Sequence, residues 1–361
     1  MPLRARTLLG PGPSNPYPEA TVALGQPLLG HLDPEFLRIL DETSERLRQV
    51  FGTANRRTLP LSATGSAGME AAFVNTVGPG DVVVVAVNGL FGQRMVEVAS
   101  RCGAEVVAVE HEWGRPVDAD RVLAAHPAPK LIAAVHAETS TGVRSDLEPL
   151  AAGKGDALLL ADCVTSLGGI PVRLDDWGVD LAYAGSQKCL GVAPGLAPFA
   201  INDRAWERRI EKPQSWYLDL GLLGGYAGEA AGSGRTYHHT APTGMVVSLH
   251  AGLGRILEEG WTPYTPATPR PAGCCTRGSA SWGWSCSPPR APAARADDGG
   301  GAGRRRLGRR PQGAAGALRP RDRRGVGAYA ATVWRIGLMG PNAAPDKVAL
   351  VLAALKDVLG R

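Results

Sequence analysis

Three short stretches of this chain carry side chains that could do chemistry together. Asp162 closes the apolar run 157–161 and Lys188 follows the apolar run 179–184, so an acid and an amine stand just past two successive hydrophobic segments. If the Lys188 amine is drawn out of water its ammonium form is disfavoured, which leaves a nucleophile able to condense with an aldehyde. Each residue has a plainer reading by itself: Asp162 could cap the next turn, and Lys188 could lie on the surface. The third stretch, Ser62-Ala63-Thr64-Gly65-Ser66-Ala67-Gly68-Met69-Glu70, opens a helix with small residues. Free N–H groups and the helix dipole suit a phosphate there; close packing is the alternative.

Taken together, the three have one economical chemistry. Pyridoxal phosphate needs a Lys for its aldehyde, a carboxylate to keep its ring nitrogen protonated, and a cup of donors for its phosphate. Neither a Gly-x-Gly-x-x-Gly after the first strand nor a P-loop competes. His238-His239 suggests a metal pair, but adjacent side chains on a strand point apart and no acid or thiol lies at ligand spacing, so no metal is expected.

These residues need a scaffold, and the chain spells one out. Runs at 82–87, 105–109, 131–135, 157–161, 179–184 and 196–201 are almost unbroken in apolar residues, as in strands buried on both faces of a parallel sheet. Helix-like pieces at 65–77, 91–102, 118–126 and 146–152 alternate with them, which predicts a doubly wound α/β domain. Ahead of it a helix is expected between an Asp33-Pro34 start and a Gly52 stop. Later, helices are expected from 203 toward 211, over 243–259 and over 345–359, with a Gly-rich connection at 221–234.

With 361 residues, 44% of them apolar and 20% charged, the chain is neither disordered nor fibrous. Its net charge of +5 invites a nucleic-acid reading, yet the charge is concentrated. Residues 263–325 hold 13 Arg, 3 Asp and no Lys or Glu, a net of +10, so the remaining chain stands at −5. That stretch also has nine Pro and, Ala aside, only Leu307 and Leu318 as aliphatics. Its cysteines, Cys274, Cys275 and Cys286, fall short of a four-ligand zinc set. A displaced reading frame would explain it: GC-rich codons permit 274–286 to back-read as a Leu-rich amphipathic helix, with the frame restored near Gly325, and the nucleotide sequence decides it. An Arg-rich polynucleotide arm is the rival reading, and it lacks interleaved aromatics beyond Trp282 and Trp284. Cys102, Cys163 and Cys189 are isolated, and no run approaches the ~20 apolar residues of a membrane span, so a cytoplasmic protein without membrane or nucleic-acid partners is expected.

Five segments carry a resemblance. Leu8-Leu9-Gly10-Pro11-Gly12-Pro13-Ser14-Asn15, residues 162–169, Gly185-Ser186-Gln187-Lys188, Tyr237-His238-His239-Thr240-Ala241-Pro242 and Trp334-Arg335-Ile336-Gly337-Leu338-Met339-Gly340 resemble the class V aminotransferases, in particular the alanine–glyoxylate and serine–glyoxylate enzymes. The likeness spans 8–262 and 326–361. It implies a fold-type I transferase with an arm over 1–20, a large cofactor domain over 21–250 and a small C-terminal α/β domain over 251–361, which 263–325 interrupts. Lys188 would hold the cofactor aldehyde and then move the α-proton; Asp162 would pair with the ring nitrogen and Val164 would lie under the ring. Thr64, Gly65, Ser66 and Gln187 would hold the phosphate, helped by Tyr237 and Thr240 from the other subunit of a homodimer. Phe91 would stack on the ring, Ser140 would bond its ring oxygen, and Arg335 would grip the substrate carboxylate with its two-pronged guanidinium. Pro11, Gly12 and the 25–30 segment would line a site for small substrates. The implied reaction moves an amino group from alanine or serine to glyoxylate. One rival is a class V lyase or cysteine desulfurase, which needs a reactive Cys on a mobile loop; Cys189, beside Lys188, cannot easily reach a substrate sulfur. Another is an inactive homologue whose small domain does not form.

Overall fold

A computed structural model describes residues 5–228, 235–260 and 333–359. The Arg-rich stretch 263–325, and with it the displaced-frame reading, lies outside the described residues. In chain order the elements are α1 (Pro18–Leu24), α2 (Pro34–Phe51), β1 (Thr58–Leu61), α3 (Gly65–Thr76), β2 (Val82–Val87), α4 (Leu90–Arg101), β3 (Glu105–Glu110), α5 (Ala119–Leu123) and β4 (Leu131–Val135). There follow β5 (Ala137–Glu138), β6 (Val143–Arg144), α6 (Glu148–Gly153), β7 (Leu158–Asp162), α7 (Leu174–Trp177), β8 (Leu181–Tyr183), β9 (Ala197–Ile201), α8 (Asp203–Glu207), α9 (Leu220–Ala227), α10 (Thr243–Glu258) and α11 (Pro345–Leu359).

Seven strands form one sheet in the order β1-β9-β8-β7-β4-β2-β3. The five from β8 to β3 are parallel, while β9 runs antiparallel to both β8 and β1. β3 lies on one side of β2 and β4 on the other, so the winding reverses there. Because β1 then runs parallel to β8, the loops after β1, β2, β4, β7 and β8 all emerge at one edge, the carboxyl edge where open α/β sheets bind ligands. Val83–Val87 of β2 and all of β4 and β7 are buried, as strands covered on both faces must be.

The helices follow local chemistry. Asp33 accepts the Glu35 N–H at 2.8 Å, Pro34 opens α2, and Gly52 closes it at φ +60°, where a Cβ would also come within 2.7 Å of the Val172 carbonyl. One face of α2 buries Phe36, Leu40, Leu47, Val50 and Phe51, and the helix packs on α10 and β1. Each of these large side chains contributes roughly 1.5–3 kcal/mol on leaving water.

Three expectations change, the first being that the helix expected from 203 toward 211 stops at Glu207. The 221–234 stretch, read as a Gly-rich connection, begins within helix α9, which Asp219 caps by accepting the Gly221 and Leu222 N–H groups. Three glycines weaken that helix, and the buried Leu220, Leu223 and Tyr226 hold it. The helix expected over 118–126 stops at Leu123, and Pro127 and Pro129 follow. Strand β1 and the short β5–β6 hairpin went unpredicted because a four-residue run and a two-residue ladder have too few side chains to show a period.

Candidate active site

The carboxyl edge gathers most of the expected residues. Asp162 ends β7 in register with Tyr183 of β8. Its Oδ1 accepts the Val164 N–H and its Oδ2 the Tyr183 hydroxyl, each at 2.8 Å. The carboxyl group is buried, and burial raises its pKa to about 6 against the two donors that lower it. Val164 is wedged between two glycines: Cβ atoms built on Gly65 and Gly185 would lie 3.0 and 3.3 Å from its methyls.

Lys188 extends from the loop after β8 under the amino-terminal arm. Its Nζ donates to the Pro11 carbonyl at 2.6 Å, while Ser14 N–H donates to Gln187 O and Ser14 Oγ to Lys188 O, both at 2.8 Å. Burial lowers the Lys188 pKa to about 8; the Arg335 charge pushes the same way, and Asp162 opposes it. Arg335 is half-buried and arrives from the far end of the chain: Gly337 N–H donates to Leu9 O at 3.0 Å, and Asn342 Nδ2 donates to Leu8 O and Asn15 Oδ1, both at 2.9 Å. A Cβ on Gly337 would come within 2.2 Å of Gly10 O, so the two ends touch backbone to backbone.

Thr64 is the N-cap of α3 and makes no side-chain capping bond. Arg94, one turn into α4, donates to Ser66 Oγ at 3.3 Å and lies 4.9 Å over the Phe91 ring, joining two segments that sequence reading kept apart. Ser140 sits in the turn of the β5–β6 hairpin; its Oγ accepts the Leu90 N–H at 2.9 Å and donates to Glu138 Oε1 at 2.6 Å. Glu138, Tyr183 and Arg94 were missed. An acid inside the buried 131–140 stretch was the one signal that could have found Glu138.

Tyr237 and Thr240 lie on the segment that precedes α10. Tyr237 is 63% exposed, with its hydroxyl 3.5 Å from Thr240 Oγ1 and its ring 5.3 Å from that of His31. The segment is not a strand, so the expectation that the neighbouring histidines point apart fails: His238 Nδ1 lies 2.8 Å from His239 Nδ1. His238 stacks on Trp216 and His239 reaches Ser62 Oγ at 2.6 Å. No group of three metal-ligating side chains occurs among the described residues. A cavity of about 470 Å³ opens at the opposite edge of the sheet, where Lys130, Lys154 and Arg208 are paired with Asp81, Asp180 and Asp156.

The sequence profile of aminotransferase class-V matches residues 18–206. The chain belongs to the class V aminotransferases. It is 39% identical over 264 residues to alanine–glyoxylate aminotransferase of Drosophila melanogaster, an alignment covering 71% of this chain and 67% of that one. It is 36% identical over 280 residues to (S)-ureidoglycine–glyoxylate transaminase of Bacillus subtilis, covering 71% and 66%. This class V chain thus spans about two thirds of the curated relatives' length. Among solved structures, alanine–glyoxylate aminotransferase from Nostoc sp. superposes with a TM-score of 0.81 at 36% identity, covering 99% of this chain and 96% of that one. Cysteine desulfurases share the fold at 15–16% identity.

Membership in this family implies pyridoxal phosphate, and the residues fit it. The class V chain offers a desolvated amine at Lys188, a buried acid at Asp162 and an α3 start that Thr64 leaves uncapped.

Proposed function

We propose that this chain transfers an amino group from alanine or serine to glyoxylate, giving glycine and pyruvate or hydroxypyruvate. The observation that carries the reading is the trio of a desolvated Lys188, a buried Asp162 and an Arg335 close enough for its charge to act on Lys188. Glyoxylate is the shared element of the relatives' names, whose amino donors are alanine, (S)-ureidoglycine and L-aspartate.

Lys188 would hold the cofactor aldehyde and, once displaced by the amino donor, would be the base that takes the proton from the donor's α-carbon. When bound, the cofactor supplies a sink for the electron pair left on that carbon. Asp162 keeps the ring nitrogen protonated, held in place by Tyr183 and the Val164 N–H. Thr64, Gly65, Ser66 and Gln187 would hold the phosphate, Phe91 and Val164 would pack on the ring, and Ser140 would hydrogen-bond its oxygen. Arg335 binds the substrate carboxylate in a bidentate grip, and Pro11 and Gly12 wall off bulkier substrates. Glyoxylate-dependent formation of pyruvate from alanine tests the reading, together with a visible band near ~420 nm that Lys188→Ala abolishes. Glyoxylate-independent release of sulfide from cysteine would favour the desulfurase instead.

The working unit is a homodimer in which Tyr237 and Thr240 complete the partner's phosphate site. The exposure of Tyr237 supports this, since it leaves the ring open to a second subunit, and Leu28, Leu32, Trp216 and Tyr217 are exposed as well. Mixing Lys188→Ala with Tyr237→Ala subunits tests it: a shared site regains activity in one of the two sites of each mixed dimer, whereas a self-contained site regains none. The division at residues 20 and 250 is proposed on the same resemblance, and placement in the cytoplasm fits the lack of a membrane-spanning helix among the described residues.

A further inference from the structure

Glu138 is buried at the end of the β5 strand and has no part in the chemistry above. Its carboxylate ties two loops together. Oε2 accepts the Phe91 N–H at 3.0 Å and the Gly92 N–H at 3.3 Å, in the first turn of α4. Oε1 accepts the Ser140 N–H at 2.9 Å and the Ser140 hydroxyl at 2.6 Å. The Ser140 oxygen in turn accepts the Leu90 N–H, which closes a ring of bonds between α4 and the hairpin.

The packing is built around this side chain. A Cβ at Gly89 would lie 2.4 Å from Glu138 Cγ, 2.5 Å from its Cδ and 2.5 Å from Ser140 Oγ, so residue 89 must lack a side chain for the carboxylate to reach α4. Burial raises the Glu138 pKa, while its four hydrogen bonds lower it. Two further charges act across the site: Asp162 is disfavoured as an anion by Glu138, and the Arg335 cation is favoured by it.

We propose that Glu138 is a positioning residue for the cofactor ring: by clamping the first turn of α4 to the β5–β6 hairpin it holds Phe91 and Ser140 at one fixed separation. The inference rests on the ring placement proposed above. A carboxylate suits the task because all four groups facing it are donors. A Gln at this position would turn an amide N–H₂ toward at least one of them.

The test measures cofactor affinity, visible circular dichroism per bound cofactor, and unfolding temperature of the cofactor-free protein, in Glu138→Gln, Glu138→Ala, Ser140→Ala and the double variant Glu138→Gln/Ser140→Ala. Affinity is expected to fall about tenfold in Glu138→Gln and further in Glu138→Ala, with the dichroism of the cofactor that does bind reduced as its ring loses a fixed orientation. In the Ser140→Ala background Glu138→Gln should cost less than in the wild type, since part of its effect runs through Ser140. If Glu138→Ala fails to fold, the near-isosteric Glu138→Gln carries the test. A purely structural role would lower the unfolding temperature and leave affinity and dichroism unchanged, and that result, or full additivity with Ser140→Ala, overturns the proposal. A wild-type chain with no visible band would overturn the cofactor reading itself, whereas a normal wild-type band with unaffected variants overturns only the role of Glu138.

Discussion

Gly12 has no side chain where Lys188 runs: a Cβ built on Gly12 would lie 2.3 Å from Lys188 Nζ and 2.8 Å from its Cδ and Cε. Gly12 also sits at φ +123°, where residues with a Cβ are strained. Gly12→Ala is therefore expected to push the Lys188 chain aside at a cost of about 1–3 kcal/mol in backbone strain. The visible band should form at least about tenfold more slowly when cofactor is added to the cofactor-free protein. Stopped-flow absorbance checks this, and an unchanged rate would refute the steric argument.

The pH dependence of loading follows from Lys188. Its pKa is lowered to about 8, chiefly by burial, and the neutral amine is the reactive form. The rate of band formation should rise with pH, level off above about 8, and fall by about tenfold for each pH unit below that. An inflection near the ordinary Lys value would mean that the amine is not desolvated.

Asp162 and Tyr183 should separate charge from orientation. Asp162→Asn keeps an acceptor for the Val164 N–H but removes the anion, and transamination is expected to drop by about 10²-fold or more while cofactor remains bound. Tyr183→Phe removes one hydrogen bond to a buried carboxylate, so a loss of about tenfold is expected. Single-turnover rates on saturated enzyme distinguish the two, and equal losses would contradict this division of labour.

Arg335→Lys tests the carboxylate anchor. A Lys keeps the charge and loses the planar fork, so KM for the amino donor is expected to rise about tenfold or more with a smaller change in kcat. A fall in kcat alone would show that residue 335 acts on the chemical step instead.

The scaffold was legible wherever a side-chain pattern repeats often enough to be read. The apolar runs of β2, β4 and β7 and the capped α2 stand close to where sequence places them, because a strand buried on both faces admits little but apolar residues and a helix end needs specific partners. The Asp162 and Lys188 pair was legible for the same reason, since a charged residue directly after a buried run has to be explained. Glu138 and Tyr183 were not, because one lies in a two-residue strand and the other in a run that reads as simple core.

Chain order and residue type alone dictated the α/β scaffold and the amine and acid at its carboxyl edge, since burial and strand polarity are local consequences of composition. Tertiary structure decided which distant residues join them. Pro11 reaches Lys188, and Gly337, two residues past Arg335, meets Leu9, although more than 320 positions separate those last two in the chain. The first joins the Lys188 side-chain amine to a backbone carbonyl and the second joins backbone to backbone; both are closed by the folding of the sheet between them, and a backbone carbonyl carries no residue type from which they could have been read.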